Sequence, residues 1–152
     1  MSWARRRFLR RYFAIFALTS LAWEILQLPL YTLWKSGTRA QIASAIAHCT
    51  AGDVLIAAAA LSAAALAAGG PDWPLRRFAP VAAIAILIGV AYTICSEWFN
   101  VSVRGAWTYT DAMPTIPLPG FAPGVSPVLQ WLVVPAFAFW RARAGLGSAS
   151  FD

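Results

Sequence analysis

Charge is what this sequence has least of. Only 12% of its 152 residues are Asp, Glu, Lys or Arg, against about 25% in an ordinary soluble domain. Hydrophobic residues make up 60%, and the mean hydropathy is +0.63. A chain this short cannot bury that much apolar surface in its own core, which excludes a water-soluble globule and makes lipid its solvent. The two cysteines, Cys49 and Cys95, both fall in apolar runs. That excludes a disulfide framework and leaves them as small packing residues. Histidine occurs once, with no HExxH or ExxH motif, too few imidazoles for an ordinary zinc or iron site. No basic–aromatic RNA-binding module is visible, so the net charge of +6 does not point to nucleic acid. No cofactor is expected.

What the chain does have is four long apolar stretches, about 12–34, 45–68, 78–99 and 125–141. About 20 such residues at 1.5 Å rise cross the hydrocarbon core of a bilayer. The expected fold is a single all-α domain, a polytopic bundle of four transmembrane helices with a long Pro/Trp-rich outer loop. Gly69-Gly70-Pro71 stops the second span, and Pro74 and Pro80 bracket the start of the third. The second span is rich in alanine, which lets neighbouring helices approach closely. The tail 144–152 is small and polar and reads as disordered.

Arginine is concentrated where it orients the chain. A basic arm, 1–11, holds Arg5, Arg6, Arg7, Arg10 and Arg11. Its Ala4–Arg10 segment resembles a twin-arginine export signal, but the following run is about 22 residues long and lacks a small-x-small cleavage site. It therefore reads as a retained helix. With the N-terminus inside, Arg76, Arg77, Arg141 and Arg143 join the arm on the cytoplasmic side, and Lys35, Arg39 and Arg104 lie outside. The positive-inside rule then places both termini in the cytoplasm of a bacterial inner membrane. Trp34, Trp73, Trp98, Trp107 and Trp140 fall near span ends, where interfacial tryptophans collect.

The scarce acids sit in costly places. Glu24 lies within the first apolar run, where a carboxylate costs roughly 2.5–3.5 kcal/mol unless it is paired or used. Asp53, at similar depth on the second span, His48 nearer the outer surface, and Glu97 at the outer end of the third span complete the candidate catalytic set. Gln27 and Tyr31 follow Glu24 at i+3 and i+7, Tyr92, Ser96 and Asn100 form an i, i+4, i+8 stripe beside Glu97, and Gln130 opens the fourth span. Gln27, Tyr31, Tyr92, Asn100 and Gln130 are therefore candidate binding residues. Glu24, His48, Asp53 and Glu97 together also form an alternative, oxygen-rich set for a divalent metal.

The loop from Asn100 to Pro127 is stiff, apolar and aromatic, a composition that argues for a functional lid rather than disorder. Arg104, Trp107, Tyr109 and Asp111 are its candidate binding residues, with Arg104 and Asp111 expected to pair with Glu97 or each other. Glu97, then Asn100-Val-Ser-Val-Arg-Gly-Ala-Trp-Thr-Tyr-Thr-Asp111, a Pro/Gly-rich link, and Pro127-Val-Leu-Gln-Trp-Leu-Val-Val-Pro135 resemble a segment of the carotenoid membrane enzymes, the lycopene cyclase domains and related hydratases. The resemblance spans about residues 97–135. It implies an isoprenoid substrate and keeps Glu97 as an acid. Those cyclases carry paired Glu where this chain has Leu129-Gln130, so the acid for cyclisation is missing.

Three functions stay open on these residues. The chain is a small subunit or assembly partner of a membrane complex, or a homo-oligomer, with its polar groups as helix–helix contacts. Alternatively it is an enzyme or binding protein for a lipid-like ligand, using protonated carboxylates. A third role is an ion- or proton-coupled transporter.

Overall fold

A computed structural model describes residues 2–147. Four long helices dominate: α1 (Trp3–Gln27), α2 (Arg39–Ala68), α3 (Phe78–Glu97) and α4 (Val125–Gly147). With their extensions, Trp3–Leu30, Arg39–Ala68, Phe78–Val103 and Val125–Leu146 are each long and apolar enough to cross a membrane. The all-α bundle of four such helices is therefore what this sequence forms. Each helix packs beside its chain neighbours, and α1 closes the ring against α4.

The helices overrun the apolar stretches. The basic arm is not separate, since α1 begins at Trp3, where the Ser2 hydroxyl accepts the Arg5 N–H at 3.3 Å. Arg5 then reaches across to the carbonyls of Gly70 (3.0 Å), Pro71 (3.2 Å) and Trp73 (3.1 Å). At its other end α1 stops at Gln27 rather than near residue 34. Pro29 has no N–H to continue the ladder, so Leu28–Leu30 tighten into a 3₁₀ turn, and a single helical turn, Leu33–Ser36, follows. The start of α2 is fixed by a capping box. Gln41 N–H binds Thr38 Oγ1 at 3.3 Å, and Thr38 N–H binds Gln41 Oε1 at 2.8 Å. The helix of α4 continues through 144–147, where the sequence reads as disordered; 148–152 lie outside the described residues.

Rows of residues four apart pack the bundle, as ridges set into grooves. On α1 the buried row is Phe8, Tyr12, Phe16, Ser20 and Glu24; on α3 it is Val81, Ala85, Gly89, Thr93 and Glu97. The two halves of these rows differ in kind. At the arginine-rich end, Phe8, Tyr12, Phe16, Trp73 and Phe139 form an aromatic core, with Tyr12 and Phe139 centroids 4.6 Å apart and Phe8 meeting Trp73 edge-on at 5.3 Å. Trp73 is thus a core residue, not an interfacial one. Trp34, Trp98 and Trp140 are exposed.

Towards the other end the bundle opens. The buried residues of α2, Ala57, Ala60, Leu61 and Ala64, all belong to its second half. Nothing between residues 39 and 56 is fully buried, so this half of α2 is only partly covered, with Val54 and Ile56 reaching the core.

Gly89 marks where the packed half ends. A Cβ there would run into the ring of Trp131, whereas one at Gly52 would meet open space. Gly89→Ala is expected to cost about 1–3 kcal/mol as overpacking. Gly52→Ala should be neutral or stabilising by up to about 1 kcal/mol through helix propensity. Thermal unfolding of both variants in the same detergent checks the contrast; equal melting temperatures would refute the tight Gly89–Trp131 contact.

A candidate chamber of carboxyl groups under a tethered lid

The side chains singled out in the sequence converge on the open end. A cavity of about 470 Å³ is bounded by all four helices and the loop, within the roughly 300–1,000 Å³ of ligand pockets. Glu24, Gln27, Asp53, Glu97 and Gln130 line it, as do Tyr31, His48, Tyr92, Asn100, Arg104 and Trp107. Tyr109 stands behind Glu97. Asp111 is an exposed loop residue outside the cavity.

One amide organises the deep wall. Gln130, from α4, is 3% exposed. Its Nε2 lies 2.7 Å from Asp53 Oδ2, 3.0 Å from Glu24 Oε1 and 3.1 Å from Ser20 Oγ. The Ser20 hydroxyl donates to the same Asp53 oxygen at 2.5 Å. Gln27 Nε2 donates to Glu24 Oε1 at 3.0 Å and to Gln130 Oε1 at 3.3 Å, while Ser126 Oγ donates to Gln27 Oε1 at 2.9 Å. Helices α1, α2 and α4 are thereby joined by one polar network. Both bonds to Glu24 fall on Oε1, which leaves its second oxygen for the cavity, while Asp53 is held through Oδ2 by Ser20 and Gln130 and is also met by the Trp131 side chain.

Glu97 belongs to a second cluster. The Tyr109 hydroxyl donates to Glu97 Oε2 and accepts the Gly124 N–H at 3.0 Å. The Trp107 indole N–H, buried and without a hydrogen-bond partner, faces the same carboxyl. Arg104 and Asp111, expected to pair with Glu97, do not. Arg104 is exposed and lies over the Phe99 ring, 5.9 Å from its centroid. After Glu97 the helix widens through Trp98–Val103, with the Arg104 N–H bound to the Phe99 carbonyl at 2.8 Å. Such widened turns recur at functional sites.

The loop is tied down along its length. Thr32 N–H binds the Thr108 carbonyl at 3.0 Å, and Thr110 N–H binds the Leu30 carbonyl at 2.9 Å. The two threonine hydroxyls of 32 and 108 meet at 2.6 Å. Tyr31, past the end of α1 rather than on its face, packs edge-on against Tyr109 at 5.6 Å. Beyond this, 114–125 form a tight hairpin closed at Leu118–Phe121. Pro119-Gly120 supplies its bend, with Gly120 at φ +79.

For the metal alternative, no three His, Cys, Asp or Glu side chains lie together among the described residues; His48 is an exposed rim residue, and Glu97 is engaged with Tyr109. Sequence reasoning also missed Ser20, Thr93, Ser126 and Trp131. Ser20 was within reach, standing at i−4 from Glu24. Ser126 and Trp131 needed the relation of α4 to α1.

Burial, then the hydrogen bond and charge of Glu97, push the Tyr109 phenol above its ordinary value. Burial raises Tyr31 too. A tyrosine in the unfolded chain loses its proton near pH 10, and the folded phenol holds on to it. The stabilisation from Tyr109 is therefore complete below about pH 10 and declines as the pH rises further. In a 295 nm titration, the phase lost in Tyr109→Phe should lie above pH 10, and the variant's loop should be cut faster by protease at neutral pH. A Tyr109 phase at about 10 would mean a solvated phenol and no tether.

No family model, curated protein or solved structure matches the chain, so the chemistry of the chamber is the ground on which a function is proposed.

Proposed function

We propose that this protein binds a small lipid-like molecule in the chamber and acts on it by proton transfer through Glu24, Asp53 and Glu97. One observation carries the proposal. The intramembrane polar groups face inward, onto a cavity shared by four helices and a lid. An assembly partner would present such groups on an outer face for another helix. Here Glu24, Asp53 and Glu97 find hydrogen-bond partners within the chain. A transporter needs a path to both sides, and the aromatic core closes the arginine-rich end. Carboxyls held in an apolar surround are suited to giving and taking protons.

Orientation follows from charge. The arm, Arg76, Arg77, Arg141 and Arg143 mark the cytoplasmic side of an inner membrane, and the chamber lies in the outer half. A lipid-like ligand reaches it from the bilayer. An isoprenoid, the class to which the sequence resemblance points, is one such molecule.

Native mass spectrometry of the protein in mild detergent tests this. The wild-type chain should carry a small molecule of defined mass. Glu24→Gln with Asp53→Asn should lower its occupancy about tenfold, the scale of one lost charge-assisted hydrogen bond. A bare chain with a stoichiometric protein partner would sink the proposal in favour of a subunit.

A further inference from the structure

The chamber has an excess of oxygen acceptors and no buried base to meet them. Glu24 and Asp53 flank one amide nitrogen, and Glu24 has an oxygen to spare. Glu97, 5% exposed, lines the same cavity from the facing helix. Thr93 adds a separate observation. It is 6% exposed and lines the cavity one turn before Glu97, and its hydroxyl makes no side-chain hydrogen bond among the described residues. Such a hydroxyl on a cavity wall is free to accept from a ligand. The one guanidinium on the wall, that of Arg104, lies at the exposed rim over Phe99.

Acidic groups close together in a low-dielectric surround favour a positive charge between them. The indoles of Trp107 and Trp131 and the ring of Tyr31 border the same space, and aromatic faces attract cations. A metal ion needs three or more converging ligands, and no three such side chains lie together among the described residues. A primary ammonium needs fewer, because the adjacent Glu24–Asp53 pair supplies acceptors for its N–H groups. The remaining walls, Leu28, Leu33, Ile46 and Ile56, are apolar and suit an alkyl chain.

We infer that the ligand of the chamber is a lipophilic primary amine, its ammonium group seated against the Glu24–Asp53 pair, with Thr93 and Glu97 on the facing wall, and its chain along Leu28, Leu33, Ile46 and Ile56. This rests on the chamber reading given above and narrows it to one chemical class. The carboxyls then serve the amine directly, taking its charge as an ion pair and exchanging its proton.

Isothermal titration of the full chain in a nonionic detergent at neutral pH, with n-octylamine, n-octanol and n-octanoate as probes, decides it. These differ in head group and hardly in chain. Octylamine should bind about tenfold or more tightly than octanol, and octanoate more weakly than either. Thr93→Val and Glu24→Gln should each weaken octylamine several-fold while leaving octanol unchanged; retained octanol binding shows that the variant is folded. Equal affinity for amine and alcohol, or preference for octanoate, in the wild-type chain overturns the amine inference and leaves the chamber reading standing. Binding of none of the three overturns both.

Discussion

The Gln130 amide is the contact on which the open half of the bundle depends. Two carboxyl groups and a serine hydroxyl converge from α1 and α2 on a nitrogen with two hydrogens to give. Gln27 and Ser20 each serve one carboxyl, but only the Gln130 amide donates to both, and without it the pair would lose its shared donor in an apolar medium. A glutamate at this position would bring a third acid to the same spot. The amide instead lets α4 hold α1 and α2 together.

Packing divides the molecule along its length, and the division places the chamber. The ridges of α1 and α3 run from large aromatic or small apolar residues at one end to Ser20, Glu24, Thr93 and Glu97 at the other. Aromatic rings fill the core of the first half, and Gly89 admits the Trp131 ring at its boundary. Beyond that ring the facing residues are polar and hold one another by hydrogen bonds rather than by filling volume. The space these side chains leave unfilled, bordered by the partly covered first half of α2, is the cavity.

Most of this was legible in the sequence, for a physical reason. Apolar length in a membrane protein marks each helix, and a carboxyl in such a run must be paired or used. So the four helices, and Glu24, Asp53, Glu97, Gln27 and Gln130 as cavity residues, could be read from single-chain patterns. The pairings could not. Arg104 looked like the partner of Glu97 because opposite charges attract, yet a guanidinium stays better solvated at the rim, and a phenol can share a buried carboxyl at lower desolvation cost. His48 sits at a helix position compatible with the cluster, but its side chain is exposed at the cavity rim. The extra turns of α1 at its basic end carry no hydropathy signal, because Arg is a good helix former and its stem tolerates the interface.

Pro29 ties these threads together. A helix continuing to residue 34 would spend the backbone of Leu30 and Thr32 on its own hydrogen bonds. The proline ends the ladder, and the freed Leu30 carbonyl and Thr32 N–H pair with Thr110 and Thr108 of the distant loop. That pairing sets Tyr109 between Tyr31 and Glu97, which anchors the far side of the chamber. The position of the lid over the carboxyls thus follows from where one residue interrupts α1, and the chemistry at Glu97 is coupled to a helix it does not belong to.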